Sequence, residues 1–290
     1  MRRIVFTAPV IALLGLGLSG CSDINQPTVE GPSFGLAKGT EKVTVCHKGT
    51  TITVGAPALA AHLKHGDTEG PCGVTPPSCV APPAGLVGWW PGDGNADDIW
   101  GGNNGTLVGG SYATGKVADA FNLDGLDDFV NVPDDGSLNI ESSFTWDAWI
   151  NPNGLGNRPV IASKSAHDFN RVGFEVLADG SLCGYFDSPG CTVFSFWPVV
   201  PTGVFTHVAL VFDDGNDVLQ LYANGALVGL APEPRSPAGN AAALTIGKSG
   251  ILPGFEFNGL IDEFEFFNVA LGPSDIQAIF EAGSEGKCKP

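Results

Sequence analysis

The chain is short of cations, of methionine and of long apolar stretches. Its 290 residues carry 14 Lys and Arg against 31 Asp and Glu, a net charge of −17, and methionine occurs once. A surface this acidic repels nucleic acid and anionic headgroups, so no nucleic acid partner is expected. Neutral sugars, cations and basic proteins stay open as partners. The apolar run at residues 4–18 is too short and Gly-rich to cross a bilayer. Abundant instead are glycine (41) and proline (22), which favour many short strands joined by turns over long helices. A hydrophobic fraction of 43% fills a core and argues against wholesale disorder.

The start of the chain reads as an address. Basic Arg2 and Arg3 precede the apolar run, the layout of a secretory signal peptide. The run ends in Leu18-Ser19-Gly20-Cys21, which resembles the bacterial lipobox. That resemblance implies cleavage before Cys21, acylation of Cys21 and a lipoprotein held to the membrane by its lipid anchor. Ser22 then points to the outer membrane or cell surface. Residues 21–40 read as a flexible tether, 41–73 as a small Cys/His-rich N-terminal module, 74–85 as a Pro-rich linker and 86–290 as one large β domain.

With Cys21 lipidated, six cysteines remain, a pairable set in an oxidising compartment. Cys183 and Cys191 flank a Ser188-Pro189-Gly190 turn and can face each other across a hairpin. Cys79 and Cys288 bracket the large domain, whose termini are expected close together. Cys46 and Cys72 are left for the small module. There the stretch Cys46-His47-Lys48, His62-Leu63-Lys64-His65-Gly66-Asp67, Cys72 resembles a segment found in bacterial surface proteins. Two helical turns over 57–65 put His62 and His65 on one face. Too small to bury much core, the module needs a staple. Two are open: a Cys46–Cys72 disulfide, or a zinc site of Cys46, His62, His65 and Cys72.

From residue 86 onward, alternation and turn residues predict strands at 118–123, 128–132, 144–151, 160–164, 172–177, 182–186, 205–212, 218–222, 227–230, 244–247 and 257–267. Asp179-Gly180 and Asn224-Gly225 predict hairpins with type I′ turns. Residues 273–282 predict a short helix, with Pro273 at its first position, a stripe of Ile276, Ile279 and Phe280, and Gly283 at its end.

Three stretches resemble the laminin-G-like branch of the concanavalin A-like lectin/glucanase superfamily. They are Gly88-Trp89-Trp90-Pro91-Gly92-Asp93-Gly94-Asn95, Ala120-Phe121-Asn122-Leu123-Asp124-Gly125 continuing to Phe144-Thr145-Trp146-Asp147-Ala148-Trp149, and Asn258-Gly259-Leu260-Ile261-Asp262-Glu263-Phe264-Glu265-Phe266-Phe267. The resemblance covers residues 86–285 in order. It implies an all-β, concanavalin-like jelly-roll sandwich of two antiparallel sheets, and a fold shared by lectins, adhesion modules and glucanases.

Glucanases of this fold need two carboxylates about 5–5.5 Å apart on one strand face. Here Leu260 breaks the Glu-x-Asp-x-Glu frame, and Phe264 and Phe266 facing inward leave Glu263 and Glu265 as solvated rim charges, so no catalytic pair is expected. Asp93, Asn95 and Asp98 crowd a Gly-rich loop, and Asp262 has the parity of the core-facing phenylalanines; hard oxygen donors of this kind suit Ca²⁺. Trp100, in a loop, and Trp197, in Phe194-Ser195-Phe196-Trp197-Pro198, are the candidates for stacking on a glycan. The expectation is a lipid-anchored binding module recognising carbohydrate (a polysaccharide or surface glycan) or, on the same sandwich, a surface protein.

Overall fold

The computed structural model describes residues 42–72, 79–167, 170–188 and 190–290. The segments expected to be a signal peptide and a tether (residues 1–20 and 21–40, with Cys21), and residues 74–78 of the expected linker, lie outside the described residues. The chain divides into two compact units, residues 1–74 and 75–290.

In the first unit, strands β1 (Lys42–His47) and β2 (Thr50–Gly55) form an antiparallel hairpin. A 3₁₀ turn (Ala56–Ala58) leads into the six-residue helix α1 (Leu59–Lys64), and β3 (Thr68–Glu69) returns to pair with β1. Pro57 starts the turn because its missing N–H would be unpaired there in any case. Gly66, at φ +86°, reverses the chain after the helix. Val45 is the one buried apolar side chain among the described residues of this unit. A Cys46–Cys72 disulfide closes it, its partners 26 positions apart in sequence.

The second unit is a sandwich. In chain order its strands are β4 (Leu86–Trp90), β5 (Thr106–Val108), β6 (Ser111–Thr114), β7 (Asp119–Asp124), β8 (Phe129–Val132), β9 (Phe144–Pro152), β10 (Val160–His167), β11 (Asn170–Val176), β12 (Leu182–Phe186), β13 (Val193–Phe194), β14 (Thr206–Asp213), β15 (Val218–Ala223), β16 (Ala226–Pro232), β17 (Leu244–Ile246) and β18 (Asn258–Phe267), followed by helix α2 (Pro273–Ala282). One sheet runs β13-β12-β11-β10-β17-β8-β5, the other β16-β15-β14-β9-β18-β7-β6 with β4 beside β18, and the named strand pairs are antiparallel. Inward residues of both sheets, among them Trp90, Phe121, Trp146, Phe174, Phe186, Phe212, Phe264 and Phe266, interdigitate in one core.

The second sheet is buried on both faces. Along β9, Phe144, Trp146, Ala148 and Ile150 enter the central core. Alternation puts Thr145, Asp147 and Trp149 on the other face, and they are buried too. There a second cluster of Leu86, Trp89, Ala209, Val211, Tyr222 and Phe267 packs against Leu271, Ile276 and Ile279 of the α2 region. Phe280 adds a ring 5.8 Å from Trp149.

The two expected hairpin turns differ. Asn224 and Gly225 both take positive φ (49° and 79°), as a type I′ turn requires. In the other, only Gly180 does (87°), because Asp179 spends its carboxylate on the Ser181 N–H at 2.9 Å and holds a longer loop.

Candidate functional site

Disulfides fix both ends of the sandwich. Cys79–Cys288 joins residues 209 apart, and Cys183–Cys191 closes the β12–β13 hairpin over eight residues. Beside the first, Val80 pairs in parallel with Lys287 and takes the Cys288 N–H on its carbonyl. The C-terminal strip is thereby laid over β18.

That strip corrects the reading of Glu263 and Glu265 as rim charges. Phe264 and Phe266 do face the core, but Glu263 and Glu265 are 1% and 0% exposed. Lys287, itself buried, sits 2.8 Å from Glu265, an ion pair by distance though not aligned as a hydrogen bond. Lys289 reaches both Glu263 (2.7 Å) and Asp93 (2.6 Å), and the Trp89 indole N–H donates to Glu263 at 2.9 Å. Asp147 faces Glu265 across the strands and meets the buried His207 at 3.1 Å. Burial pushes the Glu263 and Glu265 carboxyls up, against the pull of Lys287. Burial alone would lower Lys287, but Glu265, Asp147 and Glu263 around it raise it instead. These carboxylates are packed against cations under a lid of chain, and no cleft is open to them among the described residues.

The expected calcium residues do not converge. The Asp98 carboxylate takes the N–H groups of Trp89, Trp100, Gly101 and Asn103, all at 2.8–3.0 Å, and so builds its own loop. Asn95 accepts from Asp97 N–H in an Asx turn, and Asp93 from Asp119 N–H and Lys289. Asp262 leaves the phenylalanine register at a bulge where Glu263 takes φ +54°. Its Oδ2 accepts the N–H groups of Lys116 (2.6 Å) and Val117 (2.9 Å), while its Oδ1 is buried without a partner. Burial pushes this carboxyl up to about 8, against those two donors.

The expected zinc set is not assembled either, because Cys46 and Cys72 spend their sulfurs on the disulfide. His65 caps the end of α1 and is exposed. His62 instead joins His47, and both imidazoles hold the Asp67 carboxylate, whose pKa they lower.

Four aromatic side chains stay exposed among the described residues. Phe194, Phe196 and Trp197 are 51%, 60% and 57% exposed, and Trp100 is 48%. Phe194 lies on β13, the outermost strand of the first sheet, and alternation puts Phe196 on the same side. Phe196 N–H donates to Val228 on β16, the outermost strand of the second sheet, so this segment stitches the two sheet edges together. Ser195 points the other way, its hydroxyl donating to the Trp197 carbonyl and accepting from Leu182 N–H. The Phe196 and Trp197 rings lie 5.8 Å apart. Pro198 to Thr202 then form, with Leu155 and Asp179, a shallow hollow of about 360 Å³. Trp100 stands alone on the loop built by Asp98. Sequence reasoning singles out Trp197 but not Phe194 and Phe196, although an aromatic pair at spacing two beside a Trp-Pro is there to be read.

Within this architecture, a family model for the concanavalin A-like lectin/glucanases superfamily (Laminin_G_3) matches residues 124–277, just over half of the chain. The chain belongs to this superfamily. No curated protein matches the chain. Solved structures that resemble this superfamily member include domain 4 of AbnA, a GH43 extracellular arabinanase from Geobacillus stearothermophilus, in complex with arabinotriose. It is 23% identical with a TM-score of 0.54, covering 66% of this chain and 96% of that one. Trypanosoma rangeli sialidase in complex with the inhibitor DANA is 15% identical with a TM-score of 0.52, covering 69% and 33%. The binding domain of Paraclostridial Mosquitocidal Protein 1 is 15% identical with a TM-score of 0.50, covering 68% and 52%. The present chain thus spans about a third of the sialidase and half of the mosquitocidal domain, and at these identities the likeness is one of fold.

Proposed function

We propose that the sandwich is a carbohydrate-binding module and that its contact surface is the aromatic seam of Phe194, Phe196 and Trp197. One observation carries this reading: three large rings, each more than half exposed, gather on one edge of a domain whose other tryptophans, Trp100 apart, are buried. Sugar rings present C–H faces that stack on aromatic planes, and a stiff aromatic loses little entropy on binding. The net charge of −17 favours a neutral over an anionic glycan. The likeness to an arabinanase domain in complex with arabinotriose makes that oligosaccharide a sensible first probe. The broken carboxylate frame and the covered Glu263 and Glu265 favour binding over hydrolysis.

Titrating the full chain with arabinotriose, and pulling it down on insoluble arabinan and β-glucans, tests the proposal. Binding to at least one of these, weakened ~tenfold or more by Trp197→Ala at the ~1–3 kcal/mol scale of stacking contacts, supports it. Binding that survives Trp197→Ala and Phe196→Ala but is lost in Trp100→Ala moves the site to the other loop. Exposed Leu227 and Leu230 on β16 favour a protein partner as the second reading, which the absence of any glycan binding would promote.

The same proposal places the module outside the cell on a lipid anchor at Cys21. In support, the other six cysteines pair among themselves, leaving Cys21 the odd one, at the end of an apolar run. Intact mass of the purified native protein reads this directly: a chain still carrying residues 1–20, or an unmodified Cys21, removes the anchor.

A further inference from the structure

The first unit contains a constellation that neither the fold of the sandwich nor its glycan reading uses. Three side chains from three different segments converge there: His47 from the end of β1, His62 from α1, and Asp67 from the turn before β3. His47 Nδ1 lies 2.7 Å and His62 Nδ1 2.8 Å from the same oxygen, Asp67 Oδ2, and all three donor atoms fall within 4.8 Å of one another. The two rings meet edge to face at 5.4 Å. The Asp67 side chain is 6% exposed, while His47 and His62 keep 39% and 24%, so the cluster has a sheltered floor and an open mouth.

The backbone holds this arrangement from all sides. Cys46, next to His47, is tied to Cys72. Asp67 N–H donates back to the His62 carbonyl at 3.2 Å, and Gly70 N–H to Thr44 at 2.8 Å. In the sandwich the Asp98 carboxylate is satisfied by four backbone N–H groups. The Asp67 carboxylate receives two imidazoles, each through Nδ1.

We propose that His47, His62 and Asp67 form a binding site for a divalent cation of the zinc type, with the remaining coordination position left to water. Imidazole and carboxylate donors suit Zn²⁺, which takes them at about 2.0–2.2 Å. Donors at that radius in a tetrahedron stand roughly 3.4 Å apart, so the present N···O separations need open by only about half an ångström, within reach of side-chain rotation. Each imidazole would carry its ring proton on Nε2 and offer Nδ1 to the metal. The set differs from a Cys₂His₂ site: it leaves the disulfide intact, so cross-link and cation are complementary staples in a unit with a single buried apolar residue among its described residues.

The test is a calorimetric titration of the full chain with Zn²⁺, after non-reducing mass spectrometry has shown the Cys46–Cys72 peptide linked. One site per chain is expected, weakened ~tenfold or more by His47→Ala and by His62→Ala and unchanged by His65→Ala. In parallel, Co²⁺ added to the unaltered chain should give the visible absorption of a low-coordinate site, and Zn²⁺ should shift the ring NMR signals of His47 and His62 above all other histidines. These readouts need no variant and hold even where a substitution unfolds the module. Absence of Zn²⁺ binding to the unaltered chain at submillimolar concentration overturns the proposal. Binding that persists in both His47→Ala and His62→Ala, or that is lost in His65→Ala, overturns it equally.

Discussion

The sandwich gathers its chemically interesting side chains in two places, and they are opposites. Under α2 and the C-terminal strip lie Asp147, Glu263, Glu265, His207, Lys287 and Trp89, all buried. At the seam of β13 and β16 stand Phe194, Phe196 and Trp197, uncharged and open to solvent. By residue type alone, the first place resembles an active site and the second stray core. Coverage exchanges these roles. The carboxylates Glu263 and Glu265 are held by lysines of the same chain, and the rings keep more than half of their surface open among the described residues. A group is available to a ligand only where the fold has not already supplied its partner.

The largest test of this contrast removes the lid's fastening. Replacing Cys79 and Cys288 together by Ser opens a loop of 209 residues. Loop entropy then predicts a loss approaching ~5 kcal/mol, read by denaturant unfolding. A loss under ~1 kcal/mol would mean that packing alone holds the strip down. Next comes Lys287→Met. It strands the buried Glu265 without its cation and should cost about 3–5 kcal/mol, whereas adding Glu265→Gln should recover much of the loss. An additive double variant would show that the two side chains do not act as a pair.

How far the sequence foretells these two places follows from what determines them. Most strands of the sandwich, the helix at 273–282 and the pairs Cys79–Cys288 and Cys183–Cys191 follow from alternation, turn residues and chain position. The short strands β5, β6 and β13 carry too little alternation to be read, and the small module leaves both a disulfide and a zinc site open. Burial of Glu263 and Glu265 is not. It depends on Lys287 and Lys289, more than twenty residues away, returning over β18, and alternation along one strand is blind to what covers its outer face. Glu263 itself takes positive φ, which no pattern in Asp262-Glu263-Phe264-Glu265 announces. Asp98 is a similar case: a carboxylate wrapped in backbone N–H groups has the same composition signature as a calcium ligand. Phe194 and Phe196 look like core residues in sequence because only the edge position of β13 exposes them.

A smaller effect separates the covered face by pH. Asp262 sits near 8 in the folded chain against an ordinary 3.8. Between these values the folded protein keeps a proton that the unfolded chain has released. Its contribution to stability is therefore complete below about pH 4 and is lost as pH rises through about 8. Asp262→Asn retains an acceptor for Lys116 and Val117 N–H and cannot ionise. Its melting temperature should match the parent near pH 4 and exceed it at about pH 9. A gap that does not widen with pH would show that the two backbone donors keep Asp262 ionised throughout.

The smallest expected change in stability is at the seam. Trp197→Ala removes a ring that is 57% exposed and should alter unfolding free energy by within ~0.5 kcal/mol. Phe196→Ala should behave alike, since its fastening to Val228 runs through the backbone N–H and survives truncation of the ring. Rings kept on a surface at no benefit to the fold are the mark of a contact made with something else. If either truncation destabilises by about 2 kcal/mol or more, the rings are cladding for the junction of β13 and β16, and the contrast with the covered face disappears.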